Sequence, residues 1–137
     1  MELKDGAMLP FWPAFWMAVG ALAGGSGVAA AAVAAHALPA RLTPKALDAV
    51  HSAIEMQGWH ALALLFTALW IVRAGPLPAL VANLAAAAFA LGLLLFCGSI
   101  YAGELAGVRL GPTAPAGGIL LMVGWVLLAV SAVLAAR

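Results

Sequence analysis

The six Lys and Arg and the five Asp and Glu residues of this 137-residue chain are placed so that four long stretches carry no charge: 6–40, 56–72, 74–103 and 110–136. A helix needs about 20 apolar residues to cross the hydrocarbon core of a bilayer, with a range of roughly 17–25. All four stretches reach that range, the second only just. Four transmembrane helices is the simplest reading. Composition agrees. Hydrophobic residues make up 66% of the chain and charged residues 8%, against about 25% charged in a soluble domain. A net charge of +1 without a basic cluster points away from nucleic acid. Cys97 is the only cysteine, which excludes an internal disulfide and a multi-cysteine zinc site.

The first helix is expected over about 11–38. It opens with "FWPAFW", whose Trp12 and Trp16 suit the membrane–water interface. The apolar run is too long for a signal peptide, and Lys4 is offset by Glu2 and Asp5, so the segment is read as a retained helix. Gly20 and Gly24 form a GxxxG pair, and Ala21, Gly25 and Ala29 continue a small face. That spacing predicts a first helix at the centre of the bundle or at an oligomer contact. Gly25, Gly27 and Ala30 also match G-x-G-x-x-A, but no strand precedes them and no βαβ unit surrounds them, so nucleotide binding is not expected.

Thr43 and Pro44 have the chemistry of a helix N-cap and first helical position. The second helix is therefore expected over about 44–73, with an amphipathic extension before its transmembrane part. In that extension Leu47, Val50 and Ile54 face away from Lys45, Asp48, His51 and Glu55. An alternative is a separate interfacial helix broken at Gly58. Helices over about 78–102 and 114–136 follow, separated by Gly- and Pro-rich loops. The fold class is thus an all-α, integral membrane four-helix bundle, antiparallel and up-down, forming a single transmembrane domain over 1–137. Trp59 and Tyr101 are read as further interfacial residues. Orientation is a tie, with Lys4, Arg73 and Arg137 on one side and Arg41, Lys45 and Arg109 on the other.

Few polar residues remain to carry chemistry. Gln57 and His60 lie i, i+3 on the second helix, and His36 ends the first helix one short loop away. The three are expected to meet in one polar interhelical cluster near a membrane surface. Such a cluster suits proton or small-solute transport, and paired histidines suit haem iron. The plainer reading is that these groups satisfy one another, because an unpaired polar group in lipid costs several kcal/mol. No spacing supplies the further ligands of a zinc site, so no metal is expected. Asn83, Cys97 and Ser99 read as packing groups on the third helix. There is no nucleophile–base set, paired buried carboxylate or phosphate loop, so neither catalysis nor a cofactor is expected.

Three segments are distinctive in combination: "AVAAHAL" (32–38), "MQGWHALALLF" (56–66) and "LFCGSIYAGELAGVRLGPTAPAGGILLMVGWVLL" (95–128). Together they resemble the small membrane proteins known as domain of unknown function 423, whose animal relatives are called transmembrane protein 256. The family pattern runs A-F-G-A-H, Y-Q-x-x-H-A-L-A-L, L-F-S-G-S-x-Y, T-P-x-G-G and G-W. His36, Gln57, His60, Gly98, Ser99, Tyr101, Gly117, Gly118, Gly124 and Trp125 fall on it, whereas Met56 stands in place of Tyr and Cys97 in place of Ser. The resemblance implies a four-helix membrane protein and carries no biochemical activity with it. The expectation is a small non-catalytic protein of a bacterial inner membrane. Its expected partners are lipid and other membrane subunits or itself, and Gly20, Gly24, Ser99, Gly117 and Gly118 are expected to serve helix packing.

Overall fold

The computed structural model describes residues 10–136, so the readings that rest on Glu2, Lys4, Asp5 and Arg137 lie outside the described residues. Four helices account for the described chain: α1 (Phe11–His36), α2 (Pro44–Arg73), α3 (Pro76–Ala106) and α4 (Thr113–Ala135). No strand occurs among the described residues. The chain is an all-α membrane bundle.

Local chemistry sets the helix ends. The Thr43 hydroxyl accepts from the Ala46 N–H at 3.3 Å and Pro44 occupies the first turn. From there α2 continues unbroken through Gly58 for 30 residues, about 45 Å at the usual rise. The amphipathic extension is the first part of this one helix. Val50 and Ala53 are buried there, while Lys45, Asp48, His51 and Glu55 are exposed. α1 stops at His36, two residues earlier than the apolar pattern suggests, because the Ala37 and Leu38 N–H groups both turn back to the Val33 carbonyl. α3 runs longer at both ends than expected. It closes where Gly107 takes a left-handed φ of +69° and the Val108 N–H returns to the Ala102 carbonyl.

Successive helices are antiparallel neighbours: α1 packs on α2, α2 on α3 and α3 on α4. α1 touches α3 only lightly, and α1 and α4 do not pack on each other. The bundle is therefore a central pair, α2 and α3, with α1 and α4 at its edges. Of the two places expected for the first helix, the centre of the bundle or an oligomer contact, this corrects the former. Only 17% of the most apolar window of α1 is buried, against 44% for α3. The physical reason is that the inward small face of α1 seats on a single neighbour.

α1, α3 and α4 are long and apolar enough to cross a membrane, with mean hydropathies of 1.7, 2.3 and 2.5. α2 is not among them, since it carries Gln57, His60, Thr67 and a charged first third. It runs beside its neighbours and buries its polar residues against them. Large apolar side chains such as Leu22, Val28, Leu94 and Val126 point outward, as a bundle in lipid requires.

Glycines set how closely the helices approach. A Cβ on Gly20 would lie 3.0 Å from the Ala61 carbonyl and 3.1 Å from the Leu64 Cβ. The α3–α4 seam is tighter. A Cβ on Gly92 would lie 2.7 Å from Leu121, one on Gly124 would lie 2.5 Å from the Phe89 ring, and one on Gly117 would collide with the Phe96 backbone. These helices meet backbone to backbone. Gly24 and Gly118 make only ordinary contacts, at 3.7 Å and 3.8 Å.

Adjacent positions 117 and 118 therefore respond oppositely to the same substitution. Gly117→Ala is expected to destabilise the bundle by about 1–3 kcal/mol or more, because the opposing atoms are backbone and cannot rotate away. Gly118→Ala is expected to be neutral or stabilising by up to about 1 kcal/mol, from helix propensity alone. Equilibrium unfolding in mixed micelles, followed by circular dichroism, measures both.

Candidate functional site

The polar side chains of the apolar segments resolve into a few interhelical bridges, and the largest is centred on Gln57. This residue is buried and sits near the middle of α2. Its amide nitrogen donates to the Ala23 carbonyl at 2.8 Å and to the Ser26 hydroxyl at 2.9 Å, both on α1. Its amide oxygen accepts from the Tyr101 hydroxyl of α3 at 2.8 Å. The Ser26 hydroxyl in turn donates to the Leu22 carbonyl at 2.8 Å. One side chain thereby ties three helices. Gly27 gives it room, since a Cβ there would lie 3.5 Å from the Gln57 amide nitrogen.

His60 is one turn further along but faces another way. Its Nδ1 pairs with the Met56 carbonyl at 2.7 Å and its Nε2 with the Trp125 indole N–H of α4 at 3.1 Å. A carbonyl only accepts and an indole N–H only donates. The partners therefore assign the tautomer: neutral imidazole, with the proton on Nδ1. The His60 ring also packs among the rings of Phe89 and Trp125, at centroid separations of 5.6 and 6.0 Å.

Three further bridges complete the inventory. Trp16 donates to the Asn83 side-chain carbonyl at 2.9 Å, joining α1 to α3. The Cys97 thiol points at the Ala53 carbonyl at 3.3 Å, joining α3 to α2. Trp70 donates to the Ser131 hydroxyl at 2.9 Å, and Ser131 donates on to the Pro78 carbonyl at 2.8 Å. That relay ties α2, α4 and the start of α3. Among the described residues, the Thr113 hydroxyl is the one buried side-chain polar atom without a partner.

The expected cluster of His36, Gln57 and His60 does not form. His36 is exposed at the end of α1. It lies ten residues beyond Ser26, about 15 Å along the helix axis. Gln57 and His60, three residues apart, turn to opposite neighbours, α1 and α3 for one and α4 for the other. They also lie near mid-bundle rather than at a boundary, because α2 begins well before its apolar run. Of the residues read as interfacial, Trp12 is exposed in the first turn of α1. Trp16 is buried on Asn83, Tyr101 reaches inward to Gln57, and Trp59 is exposed but near the middle of α2. Ser99 bonds within its own helix, to the Phe96 carbonyl at 3.0 Å. Sequence reasoning missed Ser26, Trp70, Trp125 and Ser131 as bridge members. The available signal was that an indole or hydroxyl donor in lipid must find an acceptor.

The bridges carry measurable stability. Tyr101→Phe removes one interhelical bond and is expected to cost about 0.6–1.7 kcal/mol. Gln57→Leu removes three and is expected to cost about 1–3 kcal/mol. His36→Ala should stay within about 0.5 kcal/mol of the parent protein. Unfolding in mixed micelles ranks the three variants. For His60, nitrogen-15 chemical shifts are expected to report a neutral ring protonated at Nδ1. A ring protonated at Nε2 would contradict the Trp125 bond.

Comparison with known proteins adds relatives but no solved structure: none matches the chain. A UPF0382 membrane protein of Haemophilus influenzae is 39% identical over 111 residues, covering 80% of this chain and 86% of that protein. UPF0382 membrane proteins of Staphylococcus haemolyticus and Staphylococcus epidermidis are each 32% identical over 114 residues, covering 82% of this chain and 90% of theirs. The family model described as protein of unknown function (DUF423) matches residues 30–118, which hold Gln57, His60, Tyr101 and Gly117. The chain belongs to this DUF423 family of membrane proteins.

Proposed function

We propose that this protein is a small non-catalytic subunit of a bacterial inner membrane, which associates with other membrane proteins or with itself through α1. The observation that carries the reading is a second, outward small face on that helix. Gly20, Gly24 and Gly27 turn toward α2. Ala18, Ala21, Gly25, Ala29 and Ala32 recur at three- and four-residue spacing and are exposed. Nothing lies within 4 Å of a Cβ built on Gly25. A face this flat lets a further helix approach closely, whereas lipid chains gain little from it.

The polar groups support the same reading over transport or haem binding. Gln57 spends its amide on three interhelical bonds to α1 and α3. Groups used this way hold helices together. A proton path asks for polar groups left open toward a channel, and paired axial histidines ask for a second histidine beside His60, whereas His36 is exposed at the end of α1.

The reading is tested by solubilising the protein in gentle detergent and comparing it with a Gly25→Leu variant. The expected outcome is a complex, with itself or with other membrane proteins, that Gly25→Leu weakens by about tenfold or more through loss of close helix approach. Helicity and the α1–α2 contact should be unchanged. A strictly monomeric protein that brings down no partner contradicts the proposal.

A further inference from the structure

A pocket of about 380 Å³ lies between α2 and α4, with Phe96 of α3 at its edge, on the flank of α2 next to Gln57. Met56 and His60 line it from α2 and Met122 and Trp125 from α4, with Trp59 and Gly118 beside them. Met56 and His60 are four residues apart, and Met122 and Trp125 three, so each pair shares one helix face. No carboxylate or hydroxyl group lines the pocket.

His60 is held there as a metal-binding imidazole is usually held. Its Nδ1–H is anchored on a backbone carbonyl, that of Met56, at 2.7 Å. Ligating histidines characteristically fix their second nitrogen in this way, which aims the other lone pair. That lone pair, on Nε2, is covered only by the indole N–H of Trp125 at 3.1 Å. Trp125 is about half exposed, so the metal bond has to outweigh the cost of leaving its N–H without a partner.

We propose that this pocket binds one soft monovalent metal ion, Cu(I), through the Met56 and Met122 thioethers and His60 Nε2, with the Trp125 ring beside the ion. Thioether sulfur and imidazole select Cu(I) among the common biological cations. All three donors are neutral, so a single positive charge is the least costly one to hold in such surroundings. The electron-rich face of Trp125 offsets part of that charge. Calcium and magnesium need oxygen ligands, which the pocket lacks. Structural zinc favours four ligands drawn from thiolate, imidazole and carboxylate, and no group of three such residues exists among the described residues. Gly118 lies five residues into α4. The pocket thus reaches to about 8 Å from the α3–α4 end of the bundle, which gives the ion a short path in. Binding exchanges one indole hydrogen bond for a metal bond and leaves the copper as Cu(I). The proposal does not rest on the association face of α1.

Anaerobic titration of the purified full-length protein with Cu(I), buffered by bicinchoninate, tests it. One Cu(I) per chain is expected, together with quenching of tryptophan emission. Met56→Leu and Met122→Leu nearly conserve volume, so the helices should persist by circular dichroism. Each is expected to weaken binding by on the order of 10–100-fold. Cys97→Ser should leave it unchanged, because Cys97 faces Ala53 rather than this pocket. Three results overturn the proposal: no binding in competition with bicinchoninate, binding that survives the Met56→Leu/Met122→Leu double variant, or binding that disappears with Cys97→Ser.

Discussion

A bilayer core offers no hydrogen-bond partner, so every polar side chain placed in it must be satisfied by the protein itself. The arrangement of this bundle follows largely from that constraint acting on α2. It is the least apolar of the four helices and is nevertheless central. Gln57 needs acceptors and a donor, and finds them on α1 and α3. His60 and Trp70 need partners as well, and find them on α4. A helix with these residues facing lipid would leave several groups unpaired, each costing several kcal/mol. Surrounded by neighbours, it pairs all three.

Hydrogen bonds give the helices direction, whereas small residues set their distance. Between α3 and α4 the Gly92, Gly117 and Gly124 positions bring backbones together and let Phe89 and Leu121 fill the seam. Apolar burial cannot drive this contact, since lipid tails are as apolar as leucine; dispersion between closely fitted surfaces does. On the α1 side contact is looser and polar bonds carry more of the work. This asymmetry accounts for the exposed outer face of α1, and hence for the proposed role in association.

The helix count and the start of α2 were legible in the sequence, because charges mark loops and the Thr43–Pro44 pair marks an N-cap. The facing of the helices was not. α1, α3 and α4 are apolar on every side, so no amphipathic stripe says which face meets which neighbour. Spacing alone put Gln57 and His60 on one side of a helix, yet their directions differ by roughly 60°, enough to send them to different partners. Trp16, Trp59 and Tyr101 were read as interfacial because aromatic residues favour that zone. In the bundle Trp16 and Tyr101 turn inward to acceptors at Asn83 and Gln57, and Trp59 lies near the middle of α2. Gly117 was recognisable as a packing residue, but Gly92 drew no notice and Gly124 was noted only on the family pattern, because only the register of α3 against α4 shows what they oppose. The resemblance to DUF423 proteins was readable at the motifs that hold Gln57, His60 and Tyr101, and it implied a four-helix membrane protein.

The account depends on Gln57 acting as a shared hub rather than as one polar residue among several. A double-mutant cycle between Gln57→Leu and Tyr101→Phe, read by unfolding in mixed micelles, addresses this most directly. Residues in one hydrogen-bond network are expected to couple by about 0.5 kcal/mol or more, so the double variant should lose less stability than the two single losses combined. Losses that add to within about 0.3 kcal/mol would place the two residues outside a common network and contradict the account.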